Sequence, residues 1–315
     1  MNYQSKSKNL FLEQKTNWPL LAANTEGLKN VQLKTFVYDG FQINLQFNPK
    51  RITSSAAKVD KASIEARKCF LCAANRPNEQ CGVTFENKYE ILCNPFPIFP
   101  EHYTIAHNEH IPQEIKHSFA DMLALSKALP DLVVFYNAPN CGASAPDHLH
   151  FQAGNTGFLP IEKEIETLKT TYGKTRIKKS GLELTAINDG LRKMLVLESS
   201  EKDSLIKAFE PCYEFTSRLV HNQDPMLNIL SWYSNAWRVI IFPREKHRPW
   251  QYFEEGEKNI LLSPASVDFG GTLITPLEKD FTKISRDDIS NIMQQLTLND
   301  KNFEELTDYL KKNIK

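Results

Sequence analysis

The chain has 315 residues, enough for two ordinary domains or one duplicated unit, and 41% of them are hydrophobic, enough to build a core. Lys plus Arg and Asp plus Glu are equal at 38 each, so no charge imbalance points to nucleic acid or to a membrane surface. The polar start, Met1-Asn2-Tyr3-Gln4-Ser5-Lys6-Ser7-Lys8, points away from a signal peptide, and no apolar run reaches transmembrane length. A cytoplasmic protein is expected, and there disulfides are rare.

In chain order, residues 1–30 read as a helical or irregular leader. Residues 33–38 and 41–47 alternate as strands around an Asp39-Gly40 hairpin turn. Ser63 to Lys68 reads as a short helix leading into Cys69-Phe70-Leu71-Cys72. Tyr89 to Leu92 and Tyr103 to Ala106 are strand-like, joined by a proline-rich corner over 94–100. Ile115 to Leu129 carries apolar residues at helical spacing, and Leu132 to Tyr136 is another strand. A small-residue loop, Cys141-Gly142-Ala143-Ser144-Ala145-Pro146, then leads into Asp147-His148-Leu149-His150-Phe151-Gln152.

That last segment alternates with a period of two. It is expected to turn Leu149, Phe151 and Ala153 to the core, with His148, His150 and Gln152 sharing the other face. Small residues ahead of it allow the backbone to approach a ligand closely. Two imidazoles and an amide above such a loop suit an anion site with a nucleophile in it.

Further on, a helix around 161–168, a strand over 192–198, a helix over 202–220, a hairpin of 227–233 with 237–244, and a final helix from Arg286 are expected. The element order of the first half thus recurs in the second, which has neither Cys-x-x-Cys nor His-x-His. The expected division is a leader over 1–30, a catalytic half over 31–155, a junction over 156–190 and a degenerate half over 191–315. Antiparallel strands interrupted by helices make the fold class α+β.

Closely spaced cysteines in a reducing compartment suggest a metal. The favoured set is Cys69, Cys72, His110 and His148, a closed four-ligand structural site for zinc. His107 and His102 are alternatives to His110, and the spacing does not separate 107 from 110. Cys81, Cys93, Cys141 and Cys212 are expected as small buried residues.

These motifs together resemble the histidine-triad superfamily in its galactose-1-phosphate uridylyltransferase branch. Within it the chain looks most similar to the duplicated phosphorylases of diadenosine polyphosphates and of GDP-hexoses. The resemblance rests on His148, His150 and Gln152; on Asn94, Pro100 and His102 followed by His110; on the Cys69–Cys72 pair; and on the strand ending at Arg244. Asp147 departs from the uridylyltransferase pattern, where proline runs straight into histidine, and is closer to the GDP-hexose phosphorylases.

The resemblance implies a duplicated histidine-triad-like fold and a nucleotidyltransferase or phosphorylase. Its substrate would be a nucleoside diphosphate sugar or dinucleoside polyphosphate, and its acceptor phosphate or a phosphorylated compound. His150 would be the nucleophile, with Gln152, Ser144 and the amides of Gly142 and Ala143 stabilising phosphate charge. Asn94 would bind ribose, Phe96 and Ile98 flank the base, Asn137 either brace the loop or touch phosphate, and Arg51 reach phosphate. Arg244, Lys246 and Arg248 form a basic cluster for a second phosphate. Glutamine in the third position, unable to act as acid or base, favours transfer over hydrolysis. A hydrolase, or a non-catalytic nucleotide-binding zinc protein, are the rival readings.

Overall fold

The computed structural model describes residues 2–52, 60–179, 181–221 and 224–314. Its strands are β1 (Gln32–Val37), β2 (Gln42–Phe47), β3 (Gly82–Phe85), β4 (Tyr89–Cys93), β5 (His102–His107), β6 (Leu132–Asn137) and β7 (His150–Asn155) in the first half. There follow β8 (Gly173–Lys179), β9 (Leu182–Asn188), β10 (Lys193–Ser199), β11 (Leu227–Ser234), β12 (Ala236–Pro243) and β13 (Thr272–Thr275). β1 and β2 form the expected hairpin, with Gly40 at a φ of 76° in its turn and β13 added to β2 in parallel.

Ten strands form one antiparallel sheet in the order β3-β4-β5-β7-β6-β11-β12-β10-β9-β8. Counted inward from either edge, the strands of each half follow the same order: first, second, third, fifth, fourth. A helix joins the third strand to the fourth in both halves, Phe119–Ala128 in the first and Lys202–Leu219 in the second. The halves meet where β6 pairs with β11, Asn137 opposite Asn228. The result is α+β, with antiparallel sheets and flanking helices.

Period-two alternation gives this sheet two apolar faces, and each is covered. On one, Leu149, Phe151 and Ala153 of the first half join Ile229 and Val239 of the second. The helices Tyr3–Asn17 and Asp300–Asn313 add Phe11, Phe303 and Leu306 to that core. Asn2 and Asn299 cap these helices by accepting from Ser5 N (3.0 Å) and Asn302 N (2.8 Å). On the other face, Val133, Phe135, Ile240 and Phe242 pack against Ile43 and Leu45 of the small sheet. Helices Pro160–Tyr172 and Arg286–Leu296 supply Ile165, Ile292 and Met293 there. Both halves therefore contribute to both cores.

Four expectations need correction. The stretch 156–190, expected as a junction, holds a helix and the strands β8 and β9, which occupy in the second half the places of β3 and β4 in the first. His148 lies in the turn ahead of β7, not in the strand with His150. Cys81 is exposed, whereas Cys93, Cys141 and Cys212 are buried as expected. The short helix before the cysteine pair runs Lys61–Glu65, begun by Asp60 accepting from Ser63 N at 3.0 Å.

Candidate active site

His150 opens β7 and is 3% exposed. Its Nδ1 lies 2.8 Å from the carbonyl of His148. A carbonyl can only accept, so the ring donates from Nδ1 and keeps its lone pair on Nε2. Burial pushes the pKa of this imidazole down to about 4, so it is neutral at pH 7. A neutral imidazole with one nitrogen tied and the other unprotonated is a nucleophile held in one tautomer.

Two residues along, Gln152 meets His102 from the neighbouring β5. His102 Nδ1 accepts from the amide of Ile98 at 3.1 Å, so its proton sits on Nε2, 3.0 Å from Gln152 Oε1. Burial, then the charge of Arg51, hold His102 down at about 3, which keeps it neutral. Gln152 thus receives at its oxygen, and its amide nitrogen has no partner among the described residues. His102, weighed from sequence only as a metal ligand, orients the glutamine instead.

The loop between β6 and β7 supplies further donors. Gly142 has a φ of 95°, and a Cβ there would lie 2.6 Å from the Cβ of Ala265 in the second half. Among the described residues the amides of Gly142 and Ala143 and the Ser144 hydroxyl have no hydrogen-bond partner; three such donors in one turn suit an anion. Asn137 Oδ1 accepts from Asn228 Nδ2 (2.8 Å), Ser266 N (2.9 Å) and Ser266 Oγ (2.6 Å). Among the described residues the Asn137 amide nitrogen has no partner and remains a donor. Asn228 also holds the loop through the Cys141 carbonyl at 2.8 Å. The second half, without chemistry of its own in the sequence, braces the loop between β6 and β7.

Arg51 lies close enough to His102 and Asp268 to be coupled electrostatically to both, and donates to the Phe96 carbonyl at 2.6 Å. Burial lowers its pKa to about 10, so it stays charged. Asn94 braces the proline corner: its Oδ1 accepts from Phe96 N (2.9 Å) and its Nδ2 donates to Thr104 Oγ1 (3.1 Å). Ile98 is buried in the second core, and Phe96 is half-buried.

The expected basic cluster does not form as one group. Arg244 is 3% exposed, and its guanidinium donates to Asn228 Oδ1 and to the carbonyls of Pro264, Lys246, His247 and Leu296. It holds the second half together around Asn228. Lys246 is exposed, and Arg248 stacks on Tyr252 and donates to Ser263 Oγ at 3.2 Å.

Cys69, Cys72, His110 and His148 converge, with their ligand atoms all within 4.8 Å of one another. The Cys69–His148, Cys72–His110 and Cys72–His148 contacts between Sγ and Nδ1 are 3.3, 3.2 and 3.6 Å. A tetrahedral ion at ordinary Cys and His bond lengths would set such separations at roughly 3.5 Å. His148 donates from Nε2 to the His107 carbonyl at 2.8 Å, which frees Nδ1 to be a ligand. The four donors could hold a metal. His107 is turned away, its Nδ1 accepting from Glu109 N at 3.0 Å. Asp147, the departure noted in the sequence, binds Arg67 at 2.7 Å and faces His110.

Gln113 was not singled out from sequence, because a buried amide that bonds backbone leaves no periodic or motif signal. Its Oε1 accepts from His150 N at 2.7 Å, and its Nε2 donates to the carbonyls of His150 and Asn137, each at 3.0 Å.

Two family models match in succession: a domain of unknown function, DUF4922, over residues 10–155, and the GDPGP1-like C-terminal domain over 163–315. The galactose-1-phosphate uridylyltransferase of Staphylococcus saprophyticus is 27% identical over 187 residues, 53% of this chain and 36% of that protein. Its counterpart in Clostridium acetobutylicum is 28% identical over 160 residues, 43% of this chain and 32% of that protein. The matches thus span about a third of the length of these curated relatives. Among solved structures, yeast Ap4A phosphorylase in complex with AMP is 16% identical, with a TM-score of 0.64 over 94% of this chain and 96% of that one. The same enzyme in complex with Ap4A is 17% identical, also at 0.64, over 94% and 97%. That likeness shows a shared fold through nearly the whole chain. Two successive family models thus cover almost all of the chain, its sequence is similar to galactose-1-phosphate uridylyltransferases, and it shares the fold of yeast Ap4A phosphorylase.

Proposed function

We propose that this protein is a nucleotidyltransferase of the phosphorylase type, working through a nucleotidyl group carried on His150. The observation that carries the reading is the tie between His150 Nδ1 and the His148 carbonyl, which presents Nε2 as the attacking atom. In the first displacement a bond forms between Nε2 and the α-phosphorus of a nucleoside diphosphate sugar or dinucleoside polyphosphate. The bond from that phosphorus to the bridging oxygen breaks, and the phosphorylated remainder leaves. In the second, an oxygen of inorganic phosphate or another phosphorylated acceptor attacks the same phosphorus and His150 departs neutral. Covalent catalysis divides one difficult displacement into two.

Charge on the α-phosphate needs donors fixed in advance. The free amides of Gly142 and Ala143, the Ser144 hydroxyl and the amide nitrogens of Asn137 and Gln152 supply them, with Arg51 for longer-range attraction. Glutamine at 152 cannot relay a proton from water, which favours a phosphorylated acceptor. Phe96 stands at the proline corner to flank a base. Lys246 and Arg248 remain for the second phosphate, without Arg244.

The metal of the four-ligand site is zinc in this reading, chosen by two thiolates and two imidazoles. It would pin the His148 turn to the Cys69–Cys72 loop, and no step passes through it. Residues 31–155 form the catalytic half, and the degenerate half begins at β8. A cytoplasmic setting, where six thiols stay reduced, belongs to the same proposal.

The test is product analysis. GDP-mannose, ADP-glucose, UDP-glucose or diadenosine tetraphosphate is incubated with protein and inorganic phosphate, and products are separated by chromatography. A nucleoside diphosphate formed in a phosphate-dependent way, and lost in His150→Ala, supports the reading. Nucleoside monophosphate accumulating at the same rate without phosphate would replace it with a hydrolase.

A further inference from the structure

We propose that Gln113 is a positioning residue for the nucleophile: its side-chain amide takes the place of a missing rung between β6 and β7, and so holds His150 and Asn137 apart at the neck of the anion loop. This deepens the reading of His150 as nucleophile and rests on it.

The register shows where the rung is missing. β6 and β7 pair from Leu132 opposite Asn155 to Phe135 opposite Gln152, and there the ladder stops. The next hydrogen-bonded rung, two residues further along each strand, would place Asn137 opposite His150 and let them exchange backbone hydrogen bonds. The Gln113 amide stands between them instead, accepting from His150 N at 2.7 Å and donating to the carbonyls of His150 and Asn137, both at 3.0 Å. On its other side β7 remains paired, Ala106 opposite His150, so only the edge toward β6 is opened.

Chemistry fixes which way this amide points. A backbone N–H can only donate and two carbonyls can only accept, so Oε1 and Nε2 cannot be exchanged. Gln113 is fully buried, and its own backbone is anchored at both ends. Its N–H donates to Pro146 O at 3.3 Å, and its carbonyl accepts from the Tyr136 hydroxyl at 2.9 Å. One residue therefore ties together β6, β7 and the end of the loop that joins them. The two strands diverge where residues 138–147 leave β6 and return to β7, carrying the free donors of Gly142, Ala143 and Ser144 between them. If β6 and β7 closed by one rung, His150 and Asn137 would approach as a direct pair and the loop would narrow at its base.

Gln113→Glu keeps the size and the acceptor for His150 N and, even when protonated, offers a single donor where the two carbonyls need two. Gln113→Met keeps the volume and removes all three bonds. Both are compared with the wild type for metal content, thermal midpoint, KM for the donor and the rate of nucleotidyl adduct formation on His150, followed by quenched intact-protein mass. The probes are GDP-mannose, ADP-glucose, UDP-glucose and diadenosine tetraphosphate. The expected result is an adduct rate lower by about tenfold or more per folded molecule, with KM changed by no more than about threefold, as for a nucleophile set slightly out of line. A merely structural role would lower the folded fraction and leave the rate of the folded molecules alone. If Gln113→Met does not fold, Gln113→Glu decides. Adduct formation at the wild-type rate in the folded variants overturns the assignment to Gln113 while leaving His150 as nucleophile. Absence of any adduct in the wild type overturns the reading of His150, and this role with it.

Discussion

The Nε2 of His102 lies 3.0 Å from Oε1 of Gln152, and that one bond decides which end of the glutamine remains free. Because Ile98 N occupies the other ring nitrogen, His102 can only donate here, and the amide nitrogen of Gln152 is left for a ligand. Gln152→Glu replaces that donor with an oxygen that repels phosphate. The expected loss in kcat is about a hundredfold, the scale of removing one preorganised donor from a developing anion. His102→Phe should give a smaller loss, because the donor persists but is no longer aimed. Steady-state phosphorolysis of both variants checks the order of the two effects.

The same histidine gives the fold a pH dependence with a definite sign. Its imidazole takes up a proton below about 6.5 in the unfolded chain, whereas burial holds it neutral down to about 3 in the folded one. The unfolded state binds the extra proton in that window, so His102 contributes stability above 6.5 that is lost progressively as pH falls toward 3. Urea unfolding of the wild type and of His102→Asn from pH 7 to pH 4 measures the difference. The wild type should lose stability more steeply, by up to about 1.4 kcal/mol per pH unit. Parallel slopes would place the His102 proton elsewhere.

Metal removal should act on the His148 turn before it acts on the sheet. One zinc per chain is expected by elemental analysis, with less in Cys69→Ser and His110→Ala. Chelation should lower the thermal midpoint, since ligand binding to the folded state adds directly to its stability. His107→Ala should retain the metal, because its carbonyl supports His148 while its ring takes no part.

Two glycines with positive φ separate backbone strain from close approach. Gly157 has a φ of 80° and open space around it, so Gly157→Ala meets only the conformational cost, about 1 kcal/mol, with activity retained. Gly142 has a φ of 95°, and a Cβ added there would lie 2.6 Å from the Cβ of Ala265. Gly142→Ala should cost a further 1–3 kcal/mol, roughly the range for overpacking, and depress transfer because the anion loop must shift. Thermal unfolding and initial rates on the two variants distinguish these effects.

The convergence of Cys69, Cys72, His110 and His148 was legible because ligand chemistry restricts residue type and spacing together: a close cysteine pair directs attention to further soft or imidazole donors, and few residues qualify. The alternation of Leu149, Phe151 and Ala153 likewise located one face of β7. His148 broke the pattern because its ring is held by Cys69 and by the His107 carbonyl, contacts that periodicity does not register. β8 went unseen because an edge strand rich in lysine carries little alternation; such charge is what protects an edge from pairing. Arg244 was assigned to phosphate because sequence does not show that an arginine is surrounded by carbonyls. Asn228 and Ser266 escaped notice for a related reason: they act on Asn137 across the junction of the two halves, about 91 and 129 residues away in the chain.

A covalent bond from His150 to the α-phosphorus of a nucleotide would be read straight from the mass of the intact protein. The protein is incubated with GDP-mannose, ADP-glucose, UDP-glucose and diadenosine tetraphosphate in turn, without phosphate or any other acceptor. A gain of one nucleoside monophosphate is expected with at least one donor, absent in His150→Ala and discharged by added phosphate. Nucleotide binding without any mass gain, or a gain that survives in His150→Ala, would contradict it.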